Sequence, residues 1–135
     1  MKIITGIAHI CFLVADLERS EKFYCGALGM EKAFDFVRDD GKRFGLYVYA
    51  GERTFVELFL GDVAPPAERQ GFKHLCLEVA SIDTAVRTLR ERGVDVGDAK
   101  LGGDGTYQAW LKDPDGNRIE LHGYTAESKQ KPFLA

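Results

Sequence analysis

The chain contains one segment twice. Gly6-Ile7-Ala8-His9-Ile10-Cys11-Phe12-Leu13-Val14-Ala15 returns as Gly71-Phe72-Lys73-His74-Leu75-Cys76-Leu77-Glu78-Val79-Ala80, an offset of 65 that repeats glycine, histidine, cysteine, valine and alanine. A second echo, Val56-Glu57-Leu58 and Ile119-Glu120-Leu121, recurs at an offset of 63. Each half therefore opens on a His and closes on a Glu, both inside strand-like runs. A duplicated module that duplicates these two residues points to a two-histidine, two-glutamate metal site at its pseudo-twofold axis.

The 135 residues fit one domain and suffice for a core without disulfide staples. The formal charge of −3 is small and the basic residues form no block, which gives nucleic-acid binding little support. No apolar run approaches membrane-spanning length. The start, Met1-Lys2-Ile3-Ile4, lacks a signal peptide's apolar region and cleavage site, so a cytoplasmic protein is expected. Three cysteines, with no CxxC, argue against a disulfide framework. Cys11 and Cys76 lie two residues after the histidines, on the same strand face. They read as small apolar side chains lining a cavity, and Cys25 as helix core.

Residues 3–15 read as a strand. Asp16 caps a helix with Leu17, Ser20, Phe23, Tyr24 and Leu28 on its apolar face and Gly29 as its stop. Three strands follow, Glu31 to Arg38, Phe44 to Ala50 and Thr54 to Leu60, joined by the turn-forming Asp39-Asp40-Gly41-Lys42 and Gly51-Glu52-Arg53. The second half repeats the order: a strand Phe72–Val79, a helix capped by Ser81 or Asp83 and ended by Gly93, then strands at Val94–Lys100, Thr106–Lys112 and Asn117–Gly123. Asp113-Pro114-Asp115-Gly116-Asn117 is the turn between the last two. The expected organisation is one α+β domain: module one over 3–61, a linker over 62–70 with Pro65-Pro66, module two over 71–123, and a polar tail over 124–135 that frays or docks Pro132-Phe133-Leu134 on a neighbour.

Strand alternation puts His9 with Cys11 and Leu13, Glu57 with Phe55 and Phe59, His74 with Cys76 and Glu78, and Glu120 with Arg118 and His122. A Glu between Val56 and Leu58 has poor strand propensity and is costly to bury unpaired. Two imidazoles and two carboxylates suit nickel, cobalt, zinc, manganese or iron(II). Four protein ligands on an octahedral ion leave two positions open, as in a catalytic site. His122, two residues beyond Glu120 on the same face, is a candidate hydrogen-bond partner behind the ligands, with a solvated strand-end histidine as the plainer reading.

These residues resemble the vicinal oxygen chelate superfamily, which includes glyoxalase I, extradiol dioxygenases, methylmalonyl-CoA epimerase and bleomycin- or fosfomycin-resistance proteins. The resemblance covers residues 5–123. It rests on Ile7-Ala8-His9-Ile10, Phe23-Tyr24 with Leu28-Gly29-Met30, Val56-Glu57-Leu58, Gly71-Phe72-Lys73-His74-Leu75, and the stretch Asp113 to Leu121. It implies paired βαβββ modules whose mixed sheets curl around a central metal cleft, with His9, Glu57, His74 and Glu120 in the ligand slots. The full set looks most like bacterial glyoxalase I, a lactoylglutathione lyase. One divalent metal per site is implied, nickel or cobalt ahead of zinc, with iron and manganese also suited to the set.

The activity so implied is that of a lyase or isomerase. It transfers a proton beside a metal-chelated carbonyl through an enediolate, with Glu120 as base and Glu57 as its pseudo-symmetric partner. A small-molecule substrate and a homodimer are implied, without nucleic acid or membrane. One feature departs from glyoxalase I: the usual Arg and Asn for glutathione are here Leu13 and Gly61. The alternatives are an acyl-thioester epimerase, whose family commonly has Gln at position 57, an Fe(II) extradiol dioxygenase using His9, His74 and Glu120, and a non-catalytic drug-binding resistance protein.

Overall fold

The computed structural model describes Ile3, residues 5–64 and residues 71–134. Residues 65–70 of the expected linker lie outside the described residues. The chain divides into two compact units, Met1–Pro65 and Pro66–Ala135. The architecture is α+β, with one four-stranded mixed sheet in each unit.

In the first unit the strands are β1 (His9–Val14), β2 (Glu31–Val37), β3 (Arg43–Gly51) and β4 (Thr54–Leu60), in the sheet order β1-β4-β3-β2. β1 runs parallel to β4 and the other pairs are antiparallel. A parallel pair needs a crossover, and the helix after β1 supplies it. That helix, α1 (Leu17–Glu21), is capped as expected: the Asp16 carboxylate accepts from the Arg19 N–H at 3.0 Å. Lys22–Ala27 continues as a wider π-helical turn, in which the Leu28 N–H reaches the Phe23 carbonyl at 2.9 Å. Gly29 ends it with φ +71°, a conformation that glycine alone adopts without strain. Phe12, Val14, Leu17, Tyr24, Leu46, Val48, Val56 and Leu58 form the buried core on the helix side. Arg43 joins Glu21 to Asp35 at the edge of that layer, which ties α1 to β2 and β3 and holds the Glu21 carboxyl below its usual range.

The second unit repeats this order. β5 (Leu75–Glu78) pairs parallel with the last strand. The helix α2 (Ile82–Glu91) follows, and β6 (Lys100–Leu101), β7 (Tyr107–Lys112) and β8 (Arg118–Gly123) complete the sheet as β5-β8-β7-β6. Ser81, rather than Asp83, caps α2, its hydroxyl accepting from the Thr84 N–H at 3.3 Å. Ile82, Val86 and Leu89 turn inward against Ala109, Leu111, Ile119 and Leu121. The Asp113 turn sets the β7–β8 register. The Asp113 carboxylate is buried and accepts from the backbone N–H groups of Asp115 (3.0 Å) and Asn117 (2.8 Å), and from the Asn117 amide at 2.9 Å.

Three boundaries differ from expectation. β1 starts at His9 and not at residue 3, because its partner β4 begins only at Thr54. Upstream, Ala8 and Ile7 meet β4 through single hydrogen bonds to the Phe55 N–H and the Thr54 hydroxyl. β5 starts at Leu75 and not at Phe72 for the same reason: the chain before Arg118 is the Asp113 turn. The strand expected over Val94–Lys100 shrinks to Lys100–Leu101 plus one bridge between Val96 and Leu111. Arg90 of α2 donates to the Val96 carbonyl at 2.9 and 3.3 Å, which removes that acceptor from any ladder.

The tail is pinned over much of its length. The Thr106 hydroxyl, fully buried, lies 2.9 Å from Ser128 Oγ and 3.2 Å from Gln130 Oε1. Ser128 donates to the Gly105 carbonyl at 3.1 Å, and Gln130 donates to the Asp104 carboxylate at 2.6 Å. Phe133 remains exposed. Among the described residues no helix is long and apolar enough to cross a membrane. Thr106→Val is expected to lower the unfolding free energy by about 1–3 kcal/mol in urea titration, by leaving buried partners unpaired. It should also accelerate hydrogen exchange at the Ser128 and Lys129 amides; unchanged exchange there would contradict a pinned tail.

Candidate functional site

Each sheet packs a helix against one face, and its opposite face carries the candidate residues. The two modules use that face alike. In the parallel ladders Cys11 stands opposite Glu57, and Cys76 opposite Glu120. Each His lies two residues before its Cys, diagonal to the Glu. In the first unit His9 Nε2 is 3.7 Å from Glu57 Oε1. In the second, His74 Nε2 is 2.9 Å from Glu120 Oε2. Glu120 is buried, with 7% of its surface exposed, while Glu57 is half-buried. The structure thus pairs each expected His with the Glu of its own unit, His9 with Glu57 and His74 with Glu120.

The other oxygen of Glu120 is also engaged. His122 Nε2 lies 2.8 Å from Glu120 Oε1, so two imidazoles flank one carboxylate. A solvated strand-end histidine was the plainer expectation; the side chain is instead largely covered and directed at Glu120. The donor atoms of Cys76, Glu120 and His122 all lie within 4.8 Å of one another. Both cysteines lie on this face with exposed side chains, and their thiols are held protonated. Burial pushes the Cys11 thiol up, with Glu57 adding to the effect. Cys76 is pushed up to about 12 by burial, then by the charges of Glu120 and Asp104.

One pair of residues escaped the sequence reading. β3 places Tyr47 opposite Glu57, and β7 places Trp110 opposite Glu120. Each ring packs edge-on to its module's histidine: Tyr47 on His9 at 5.9 Å between centroids, Trp110 on His74 at 4.8 Å. The Tyr47 hydroxyl also lies 3.2 Å from His9 Nδ1, which leaves Nε2 as the nitrogen facing Glu57. The signal was available, because the offset of 63 that carries Glu57 to Glu120 also carries Tyr47 to Trp110. In the second module Arg118 caps the outer face of Trp110, its Cζ 4.5 Å from the ring centroid.

The family model for the Glyoxalase/Bleomycin resistance protein/Dioxygenase superfamily matches residues 6–121. The chain belongs to this superfamily. One similar relative is the uncharacterized protein YwkD of Bacillus subtilis (strain 168), 28% identical over 127 residues, covering 89% of this chain and 98% of that protein. Another is a probable lactoylglutathione lyase of Synechocystis sp. (strain ATCC 27184 / PCC 6803 / Kazusa), 31% identical over 123 residues, covering 85% and 92%. Among solved structures, the glyoxalase family protein from Enterococcus faecalis superposes with a TM-score of 0.77 at 25% identity, covering 90% of this chain and 99% of that one. The superfamily spans glyoxalase, epimerase and dioxygenase proteins, so membership establishes the fold without selecting one reaction.

The Cys76 thiol, exposed but pushed up to about 12, stays almost wholly protonated at pH 8. In the metal-free chain Cys76 is therefore expected to resist iodoacetamide in native buffer and to label at an ordinary thiol's rate in denaturant. Equal rates in the two conditions, read by peptide mass spectrometry, would contradict the raised thiol.

Proposed function

We propose that this chain is a divalent-metal-dependent lyase or isomerase of the lactoylglutathione lyase type, with His9, Glu57, His74 and Glu120 as the ligands of one metal ion. The supporting observation is the repeated pair: on the helix-free face of each sheet, in the same ladder register, an imidazole Nε2 faces a carboxylate. The donor set fits a divalent ion of the nickel, cobalt, zinc, iron or manganese kind. His9 supports the fit, since its Nδ1 is occupied by the Tyr47 hydroxyl and its Nε2 is directed at Glu57. Nickel or cobalt ahead of zinc follows the likeness to compact bacterial glyoxalases.

The chemistry a divalent ion supplies in such a site is polarisation of a carbonyl, which acidifies the neighbouring C–H. The chain's own residues do the rest. Glu120 takes the proton from one carbon and returns it to the next, with Glu57 as its counterpart. His122 holds the other Glu120 oxygen at 2.8 Å and so fixes the carboxylate's orientation. His9 and His74 anchor, and Tyr47 and Trp110 keep their rings in place. This reading takes 3–61 and 71–123 as the two modules of one domain, with 62–70 as linker and 124–135 as tail. It also takes the protein as a cytoplasmic homodimer acting on a small molecule. The repeated strand order and the division between Pro65 and Pro66 support the modular part.

The test is turnover of 2-oxoaldehyde–thiol adducts by the nickel- or cobalt-loaded chain. Glu120→Gln is expected to lower kcat by about 10²–10⁴-fold, the usual worth of a positioned acid–base group. Glu57→Gln that keeps full metal content and full turnover would overturn the four-ligand mechanism. His122→Ala is expected to weaken metal affinity by about 10–100-fold, as for other groups that orient a ligand. Unchanged affinity and turnover in His122→Ala would remove its assigned role. Oxygen uptake with bound iron would replace the lyase by a dioxygenase.

A further inference from the structure

The two modules share their central chemistry and differ in what surrounds it. At matched positions the first sheet carries Phe55, Phe59, Leu13 and Tyr49, where the second carries Arg118, His122, Glu78 and Lys112. The second sheet folds with charged and polar groups at these sites, so the fold itself does not demand aromatic residues there. The first module has nevertheless acquired a continuous ring surface. Phe34 stacks on Tyr47 (4.8 Å, 24° between planes), and Tyr47 stacks on Phe55 (4.9 Å, 23°). Beside this column Phe36 packs on Phe59 at 5.0 Å, and Phe59 is parallel to Phe44 at 5.9 Å. Gly45 makes room beneath them: a Cβ there would sit 2.7 Å from Phe59 and 2.9 Å from Phe36. Arg38 closes one end, its Cζ 4.7 Å from the Phe44 centroid.

This surface is continuous with the His9–Glu57 pair, because Tyr47 belongs to both. Its ring is the middle of the stack and its hydroxyl holds His9. Phe34 remains 48% exposed at the edge of the sheet, so the column ends in an open ring rather than in packed core. Beside the rings, the surface is also apolar at Leu13 and Gly61. Leu13 lies over Gly61, and a Cβ at position 61 would sit 3.2 Å from the Leu13 side chain. A side chain at position 61 would require the leucine to shift by a few tenths of an ångström.

We propose that the helix-free face of the first sheet binds an aryl group of the substrate, which makes the substrate an aryl-substituted carbonyl compound with two adjacent oxygens rather than a glutathione adduct. The two-oxygen part rests on the metal-dependent reading above; the aryl part rests on the rings alone. An aryl group adds to the stack in offset or edge-on geometry and buries apolar surface that Phe34 now exposes.

Two probes with one chelating head separate the claims: benzohydroxamate and acetohydroxamate, titrated by calorimetry into the cobalt-loaded full chain. Benzohydroxamate is expected to bind about tenfold or more tightly than acetohydroxamate, from the larger apolar area removed from water. In Phe55→Arg, which copies the residue at the matched position of the second module, the preference is expected to fall below about threefold while acetohydroxamate affinity is kept. Phe34→Ala, at the exposed sheet edge, serves as the second variant and should also reduce the preference. Equal affinities of the two probes in the unaltered chain would overturn the aryl site and leave the metal reading standing. If cobalt is not taken up, the metal reading fails and the aryl site is decided on the metal-free chain by amide resonances. Benzohydroxamate shifting the amides of β2, β3 and β4 supports it, and no shift there overturns it.

Discussion

The parallel pairing of each module's first and last strands is the constraint on which the structure depends. A parallel pair cannot be closed by a tight turn, so the chain must cross over the sheet, and in both modules it does so with a helix. The helix buries one face and leaves the other to the His, Cys and Glu of each module. On that face the ladder register places a Cys opposite a Glu and a His one step away on the diagonal, in both copies. The placement of these residues is thus a consequence of strand direction and register. A slip of one residue in either parallel pair would send its His or its Glu into the helix-packed core.

Much of this was readable from the chain. The repeat located the four candidate ligands, and Asp16, Ser81, Gly29 and Gly93 marked the helix ends where side-chain capping and left-handed backbone are required. What was not readable has physical causes outside local pattern. The starts of β1 and β5 depend on where their partners begin. The shortening of β6 depends on Arg90, a residue of another element, capturing a carbonyl. The tail reads as polar and loose, yet Ser128 and Gln130 are held by Thr106 and Asp104, partners more than twenty residues away. Tyr47 and Trp110 were missed because they are different residue types at equivalent places, and identity alone does not reveal such a match.

The two modules diverge around the residues they share. His, Glu, Cys and an aromatic ring beside the His are common to both. The surrounding positions are aromatic in one copy and charged or hydrogen-bonding in the other. The second copy adds His122, which gives Glu120 two imidazole neighbours, while Phe59 stands at the matched position near Glu57. This asymmetry agrees with assigning proton transfer to Glu120 and recognition of an apolar group to the first sheet. Superfamily membership supplies the scaffold; the unequal flanks are where the two modules of this chain differ from one another.

The central claim is that the two His–Glu pairs serve a single ion. Elemental analysis of protein purified without added metal or chelator, on the unaltered chain and on His9→Ala and His74→Ala, tests it most directly. The account predicts about one nickel, cobalt or zinc ion per chain in the unaltered protein, and a large loss in both variants. Full metal retained in either variant, or no metal and no uptake in the unaltered chain, would contradict it.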